Sequence, residues 1–207
     1  MPDGKRVLVF GESENDTKAI AELVRCLRSD LDVGTRREPI VLAKAADARK
    51  RKTNVEKIAA VVRADAAARP VHAVVLHHDC DAVEPAHVDE SRRLETEAAA
   101  TCAPARVVAA TPAFELEAWW YLFPDAVAAY RPGWRRLARH GQAVGQIVNV
   151  KERLCADLRP TNPSKVKEYR ESDSPGIAKK VRELGLCWSP QAQSASFDLF
   201  ADKIRAL

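Results

Sequence analysis

Short apolar runs rich in β-branched residues alternate with longer segments of helical periodicity over the first 125 residues. The apolar runs predict four strands, at Lys5–Phe10, Pro39–Ala43, Val71–Leu76 and Arg106–Ala110. The amphipathic segments predict four helices, at Asn15–Ser29, Val55–Ala68, Pro85–Thr101 and Ala113–Phe123. Strands that alternate with helices indicate an α/β fold with a mostly parallel central sheet flanked by helices.

The pattern changes after Tyr130, where Arg131-Pro132-Gly133-Trp134 interrupts it and no convincing strand follows. Helical spacing returns at Val148–Leu158 and Lys179–Leu184, and a polar, turn-rich segment lies between them. We therefore predict an α/β domain over residues 1–130 and a basic, mainly helical C-terminal region over residues 131–207 that packs on it.

Composition excludes several classes of protein. No apolar run approaches the roughly 20 residues that cross a bilayer, and the N-terminal apolar run leads into acidic residues rather than a cleavage site. The prediction is a cytoplasmic protein without a membrane partner. The five cysteines are scattered and form no CxxC pair, which argues against a disulfide framework and against a cysteine zinc site.

Charge is distributed unevenly along the chain, whose formal net charge is +4. Residues 131–207 carry 15 Lys and Arg against 8 Asp and Glu, whereas residues 1–130 carry 18 against 21. This division suits a metal site beside an anion-binding surface. A solvated basic face explains it equally well.

Carboxylates follow two of the predicted strands. Glu12 and Asp16 come after the first strand, where they suit Mg²⁺. Alternatively, Ser13 or Asn15 caps the following helix, and Glu14 and Asp16 complement its dipole. Asp79 and Asp81 follow the third strand, and in an extended segment their side chains would point to the same side and could share a metal ion. The alternative is a solvated acidic turn. Parallel sheets bind ligands beyond the carboxyl ends of their strands, which favours a site here.

A third acidic motif follows the fourth strand. Leu116, Trp119 and Trp120 belong to a helical apolar stripe, from which Glu115 and Glu117 project away. These glutamates either complement the helix dipole or supply a further metal ligand or an outer-shell general base.

These residues resemble the Toprim fold of topoisomerases, primases and the overcoming-lysogenization-defect nucleases, through Glu12, Asp16 four positions later, and Asp79-Cys80-Asp81. The likeness is strongest to an uncharacterised bacterial Toprim-like family, and five further motifs carry it: Glu115-Leu116-Glu117-Ala118-Trp119, Asn162-Pro163-Ser164-Lys165, Tyr169, Ser174–Lys179 and Ser196-Phe197. His77 and His78 depart from the family pattern and could alter metal preference. Since such histidines more often finish a strand, we leave them outside the ligand set.

The resemblance implies a Mg²⁺- or Mn²⁺-dependent nuclease. Glu12, Asp79, Asp81 and Glu117 would be catalytic; the metal ligands would be Glu12, Asp16, Asp79 and Asp81. Nucleic acid, DNA or RNA, would be the partner, with Lys165, Lys179 and Lys180 as contacts or simply a solvated surface. A protein partner encoded nearby and a role in phage defence or mobile-element biology are further expectations.

Two alternatives from other classes remain. One is a non-catalytic nucleic-acid-binding or complex-assembly module of the same fold. The other is a haloacid-dehalogenase-type phosphatase, which matches poorly because Glu12 occupies the place where such an enzyme needs a nucleophilic aspartate.

Overall fold

A computed structural model describes residues 5–35, 48–139 and 141–207 of the chain. Within these ranges four strands are present: β1 (Arg6–Phe10), β2 (Asp32–Thr35), β3 (Val71–His77) and β4 (Arg106–Ala110). The same ranges contain eight α-helices: α1 (Glu14–Leu27), α2 (Ala48–Ala66), α3 (His87–Cys102), α4 (Glu117–Trp120), α5 (Pro124–Tyr130), α6 (Val150–Asp157), α7 (Ser174–Glu183) and α8 (Ala195–Arg205). Short 3₁₀ turns lie at Val144–Gln146, Glu171–Asp173 and Leu186–Trp188.

The four strands form one parallel sheet in the order β2-β1-β3-β4. Side chains of β1 alternate between two apolar clusters, with Val7 and Val9 in one and Leu8 and Phe10 in the other. A parallel sheet is covered by helices on both faces, so its strands are apolar on both sides. The predicted α/β fold with a parallel central sheet is therefore confirmed.

Helices cover the two faces unequally. On the face of Leu8, α2 and α3 contribute such residues as Ile58 and Leu94. On the face of Val9, α1 is joined by helices from the C-terminal part of the chain, and Phe197 of α8 lies in the same apolar cluster. The predicted helical C-terminal region thus shares a core with the sheet. No helix within the described ranges combines the length and apolar character needed to cross a bilayer.

Strand β2 was not predicted from the sequence. Its residues Asp32–Thr35 pair in parallel with β1, and the carboxylate of Asp32 accepts a hydrogen bond from Arg6 at 2.9 Å. The stretch lacks the apolar run by which a strand is recognised, so its conformation depends on the neighbouring strand. The strand predicted at Pro39–Ala43 lies outside the described residues.

The helix predicted at Ala113–Phe123 is shorter than expected. Phe114 has a positive φ of 56°, which no right-handed helix accommodates, and α4 begins only at Glu117. Pro124 then starts the separate helix α5, in a position that suits its fixed φ and missing N–H. Helix α8 was also absent from the predictions, whereas α6 and α7 were expected at roughly their observed places.

A half-buried carboxylate, Glu84, anchors the start of α8. Glu84 Oε1 accepts hydrogen bonds from Ser194 Oγ and from the Ser196 backbone N–H, both at 2.8 Å. Ser194 is also the N-cap of α8, since its hydroxyl accepts from the Phe197 N–H. A Cβ at Gly145 would overlap the end of the Glu84 side chain, so a larger residue there would displace this carboxylate from Ser194 and Ser196.

Candidate metal centre at the carboxyl ends of β1 and β3

Strands β1 and β3 are neighbours in the sheet, with Phe10 in register with Leu76. Glu12 and Asp79 follow shortly after these two strand ends. The backbone N–H of Asp79 donates to Glu12 Oε2 at 3.3 Å. Glu12 and Asp79, two of the metal ligands that the Toprim resemblance implies, therefore lie side by side.

His77 completes a group of three possible ligands. Within the described ranges, Glu12, His77 and Asp79 offer ligand atoms that all lie within 4.8 Å of one another; we call these residues the strand-end cluster. His77 is completely buried, and its Nε2 lies 3.2 Å from Asp79 Oδ1. Neither ring nitrogen has a well-aligned hydrogen bond to another described residue. Buried polar atoms nearly always have well-formed hydrogen bonds, so a buried imidazole that faces two carboxylates without such a bond suits a metal ligand.

The sequence contained a signal for His77 that our prediction did not use. His77 and Asp79 are two positions apart and share one side of an extended segment, by the same rule that had been applied to Asp79 and Asp81. At Asp81 that rule fails, because a φ of 54° places its backbone in the left-handed region. The structure therefore groups Asp79 with the residue two positions before it, and Asp81 lies outside the strand-end cluster.

In the strand-end cluster, burial and neighbouring charges shift the pKa values in opposite directions. Burial by itself would lower the pKa of His77, but Asp79, aided by Asp16 and Glu12, raises this pKa to about 9. Burial raises the pKa of Asp79, while His77 opposes the change. A cation bound between the carboxylates would take the place of the imidazole proton, because a histidine ligand is neutral.

His78 holds the other carboxylate oxygen of Glu12, the one that does not contact the Asp79 N–H. Its Nδ1 lies 2.8 Å from Glu12 Oε1, and its Nε2 lies 3.2 Å from Glu90 Oε1. Burial would lower the pKa of His78, but the two glutamates raise it to about 9, so the ring donates to both. Glu90 also pairs with Arg93. Hydrogen-bonded supports of this kind hold metal ligands in place.

Asp16 takes part in capping α1. Ser13 is the N-cap: its Oγ accepts from the Asp16 N–H at 3.1 Å and donates to Asp16 Oδ2 at 2.7 Å. The capping interpretation therefore holds for Ser13, and Asp16 lies outside the strand-end cluster. The negative charge of Asp16 nevertheless raises the pKa of both His77 and Asp79.

Glu117 does not project into solvent. It is 5% exposed, and its Oε1 accepts a hydrogen bond from the Tyr169 hydroxyl at 2.9 Å. The hydroxyl of Tyr169 also contacts Ser174 Oγ at 2.8 Å. Burial raises the pKa of Glu117 to about 7, against the effect of Tyr169 and with an added contribution from the charge of Asp79. Tyr169 of the C-terminal region thus covers this carboxyl group.

None of the predicted nucleic-acid contacts belongs to the strand-end cluster. Lys165 is exposed on the polar segment before α7. Lys179 and Lys180 lie on α7 and pair with Glu183 at 3.7 and 2.7 Å. Lys179 also lines a shallow depression of about 230 Å³ between α1 and α7, together with Lys18 and four other residues.

Comparison of the chain with known protein families, with curated proteins and with solved structures found no match.

Proposed function

We propose that this protein is a divalent-metal-dependent nuclease that binds its ion through Glu12, His77 and Asp79. The observation that carries the proposal is the completely buried His77 ring, which has no well-aligned hydrogen bond to another described residue and faces two carboxylates. His77 ends β3, and Glu12 and Asp79 follow the adjacent parallel strands β1 and β3, where such sheets bind ligands.

The ligand chemistry favours Mn²⁺ over Mg²⁺. Magnesium prefers oxygen ligands and keeps several waters, whereas an imidazole nitrogen suits transition metals. An ion of this kind would polarise a phosphoryl oxygen and lower the pKa of a bound water. His78 holds Glu12 in position, and the Leu116 N–H does the same for Asp79 through a 3.1 Å hydrogen bond. Asp16 and Asp81 are the candidates to hold a second ion.

A phosphodiester substrate is supported by the charge of the C-terminal region. Its surplus of Lys and Arg suits a polyanion, and Lys165, Lys179 and Lys180 are the proposed backbone contacts. Glu117, whose pKa of about 7 allows proton exchange at neutral pH, is the proposed proton acceptor near the site. A role in phage defence or mobile-element biology would follow from the Toprim resemblance.

A second candidate function is favoured by the ion pairs that His77 and His78 form with the two carboxylates. Protonated His77 and His78 neutralise Asp79 and Glu12 without any ion. A protein with this arrangement could serve as a non-catalytic module that binds nucleic acid or assembles a complex.

Substitution of Asp79 by Asn separates the two functions. With end-labelled single-stranded and duplex DNA and RNA, we expect Mn²⁺-dependent cleavage by the native protein. Even outer-shell partners of metal ligands contribute about 10- to 100-fold, so Asp79→Asn should lose more than roughly 100-fold. Nucleic-acid binding should be unchanged or slightly tighter, because repulsion of phosphates falls. Asp89→Asn, at a highly exposed carboxylate of α3, is the matched control.

Calorimetric titration with Mn²⁺ distinguishes the outcomes further. Absence of both Mn²⁺ binding and cleavage by the native protein would reject the nuclease proposal in favour of the binding module. Full activity in a folded Asp79→Asn protein would show that the strand-end cluster is not the catalytic site.

A further inference from the structure

Two thiols that are distant in sequence meet between α1 and the C-terminal region. Cys26 lies in the last turn of α1, and Cys187 lies in the 3₁₀ turn that follows α7. Helix α1 packs against this 3₁₀ turn, and Cys26 lies against the apolar cluster that contains Cys187. The Cys187 thiol is close enough to Cys26 to act on its ionisation as a hydrogen-bond donor. Cys26 Sγ also lies 3.7 Å from the carbonyl oxygen of Val181 in α7, so the thiol sits at the contact of these elements.

The two thiols differ in reactivity. Cys26 is partly exposed, whereas Cys187 is completely buried. The hydrogen bond from Cys187 lowers the pKa of Cys26 to about 7 against the effect of burial, and the Arg182 charge adds to the decrease while Glu22 opposes it. The same hydrogen bond and burial raise the pKa of Cys187. Since the thiolate is the nucleophile, Cys26 is the reactive member and Cys187 the neighbour that can resolve it.

The other cysteines provide a contrast within the same chain. All five lie in the described ranges, and burial raises the pKa of Cys80, Cys102 and Cys155. Burial, not a neighbouring thiol, dominates the pKa of each of these three. A thiolate beside a resolving thiol is therefore specific to Cys26 and is the arrangement found in redox-sensitive cysteines.

We propose that Cys26 and Cys187 are a reversible dithiol–disulfide pair that responds to hydrogen peroxide. The Cys26 thiolate attacks one peroxide oxygen, the O–O bond breaks, and Cys26 sulfenic acid and hydroxide form. The Cys187 thiol then attacks the sulfenic sulfur, the S–S bond forms and the S–O bond breaks, and the hydroxyl leaves as water with the Cys187 proton. Two thiols and one peroxide thus give one disulfide and two waters. A low-molecular-weight thiol reverses the reaction by thiol–disulfide exchange.

The bond would tie α1 to the C-terminal region. Helix α1 starts directly after Glu12 and Ser13, while its far end carries Cys26. Oxidation would therefore fasten the helix that leads from the strand-end cluster to the segment after α7. This inference is independent of the proposed nuclease activity, because its readouts are the state of the sulfurs and the melting temperature.

The experiment treats the full chain with hydrogen peroxide in the presence of EDTA, which removes metal-catalysed oxidation. Non-reducing peptide mapping should find Cys26 joined to Cys187, and the melting temperature should rise and return on addition of dithiothreitol. In Cys187→Ala, Cys26 sulfenic acid should persist and be trapped by dimedone several-fold more than in the native protein. Cys102→Ala, in the other apolar cluster, should behave as the native protein does.

Two results would overturn the proposal. One is equal dimedone labelling of Cys26 in the native and Cys187→Ala proteins, with no joined peptide. The other is that iodoacetamide alkylates Cys26 of the native protein no faster than it alkylates the half-buried Cys155. This measurement needs no variant, so it does not depend on whether Cys187→Ala folds.

Discussion

Replacing Glu117 by Gln tests whether a buried carboxylate lowers the stability of this protein. The side chain is 5% exposed, and burial raises its pKa from 4.5 to about 7. Between these two values the folded state binds a proton that the unfolded state has released. The contribution of Glu117 to stability is therefore greatest below pH 4.5, falls as the pH rises, and is lost above about pH 7.

The magnitude follows from the same pKa. Each pH unit between the unfolded and folded values corresponds to about 1.4 kcal/mol, so the ionised side chain costs about 3 kcal/mol above pH 7. Gln keeps an oxygen that accepts the Tyr169 hydrogen bond but has no charge. We expect Glu117→Gln to match the native protein near pH 5 and to be about 2–3 kcal/mol more stable at pH 8.5.

Urea unfolding at pH 5, 7 and 8.5 in EDTA measures the effect by linear extrapolation. The decisive quantity is how the stability difference between Glu117→Gln and the native protein changes with pH. Any cost of the extra amide donor is the same at each pH and cancels from that change. Glu168→Gln, at an exposed site next to Tyr169, is the control and should show no such trend. A stability difference for Glu117→Gln that does not vary with pH would refute the reasoning. Loss of cleavage in a stabilised variant would indicate that the charge is retained for function.

Three further predictions concern the metal, the substrate and the core. Millimolar Mn²⁺ should raise the melting temperature of the native protein but not of Glu12→Gln, because a ligand stabilises only the state that binds it; an equal rise in both would exclude Glu12 as a ligand. Joint replacement of Lys179 and Lys180 by Ala should weaken nucleic-acid binding and make its salt dependence shallower, while turnover at saturating substrate stays the same. Lys57→Ala, on the opposite face, should leave binding unchanged. Gly145→Ala should destabilise the protein by about 1–3 kcal/mol in urea unfolding, because its Cβ overlaps the carboxylate that anchors α8; unchanged stability would contradict that contact.

Local sequence patterns determined most of the sheet and the place of the candidate site. The apolar runs at β1, β3 and β4 are continuous, so each identifies a buried strand without reference to the rest of the chain. Parallel packing of adjacent strands then brings Glu12 and Asp79 together, because both follow carboxyl ends. The strands and the carboxylates that follow them were predictable because their signals lie within a few consecutive residues, whereas the pairing of β1 with β3 is a property of the fold.

Tertiary structure decided the features that depend on partners distant in sequence. Strand β2 exists beside β1, Glu117 is buried because Tyr169 covers it, and Cys26 meets a thiol of the C-terminal region. His77 carried a local signal, its spacing from Asp79, but only the fold shows that its ring is buried with no well-aligned hydrogen-bond partner in the described residues. Periodicity reports which face of an element is apolar, not what packs against it, so burial, pKa and ligand grouping emerged only from the packed chain.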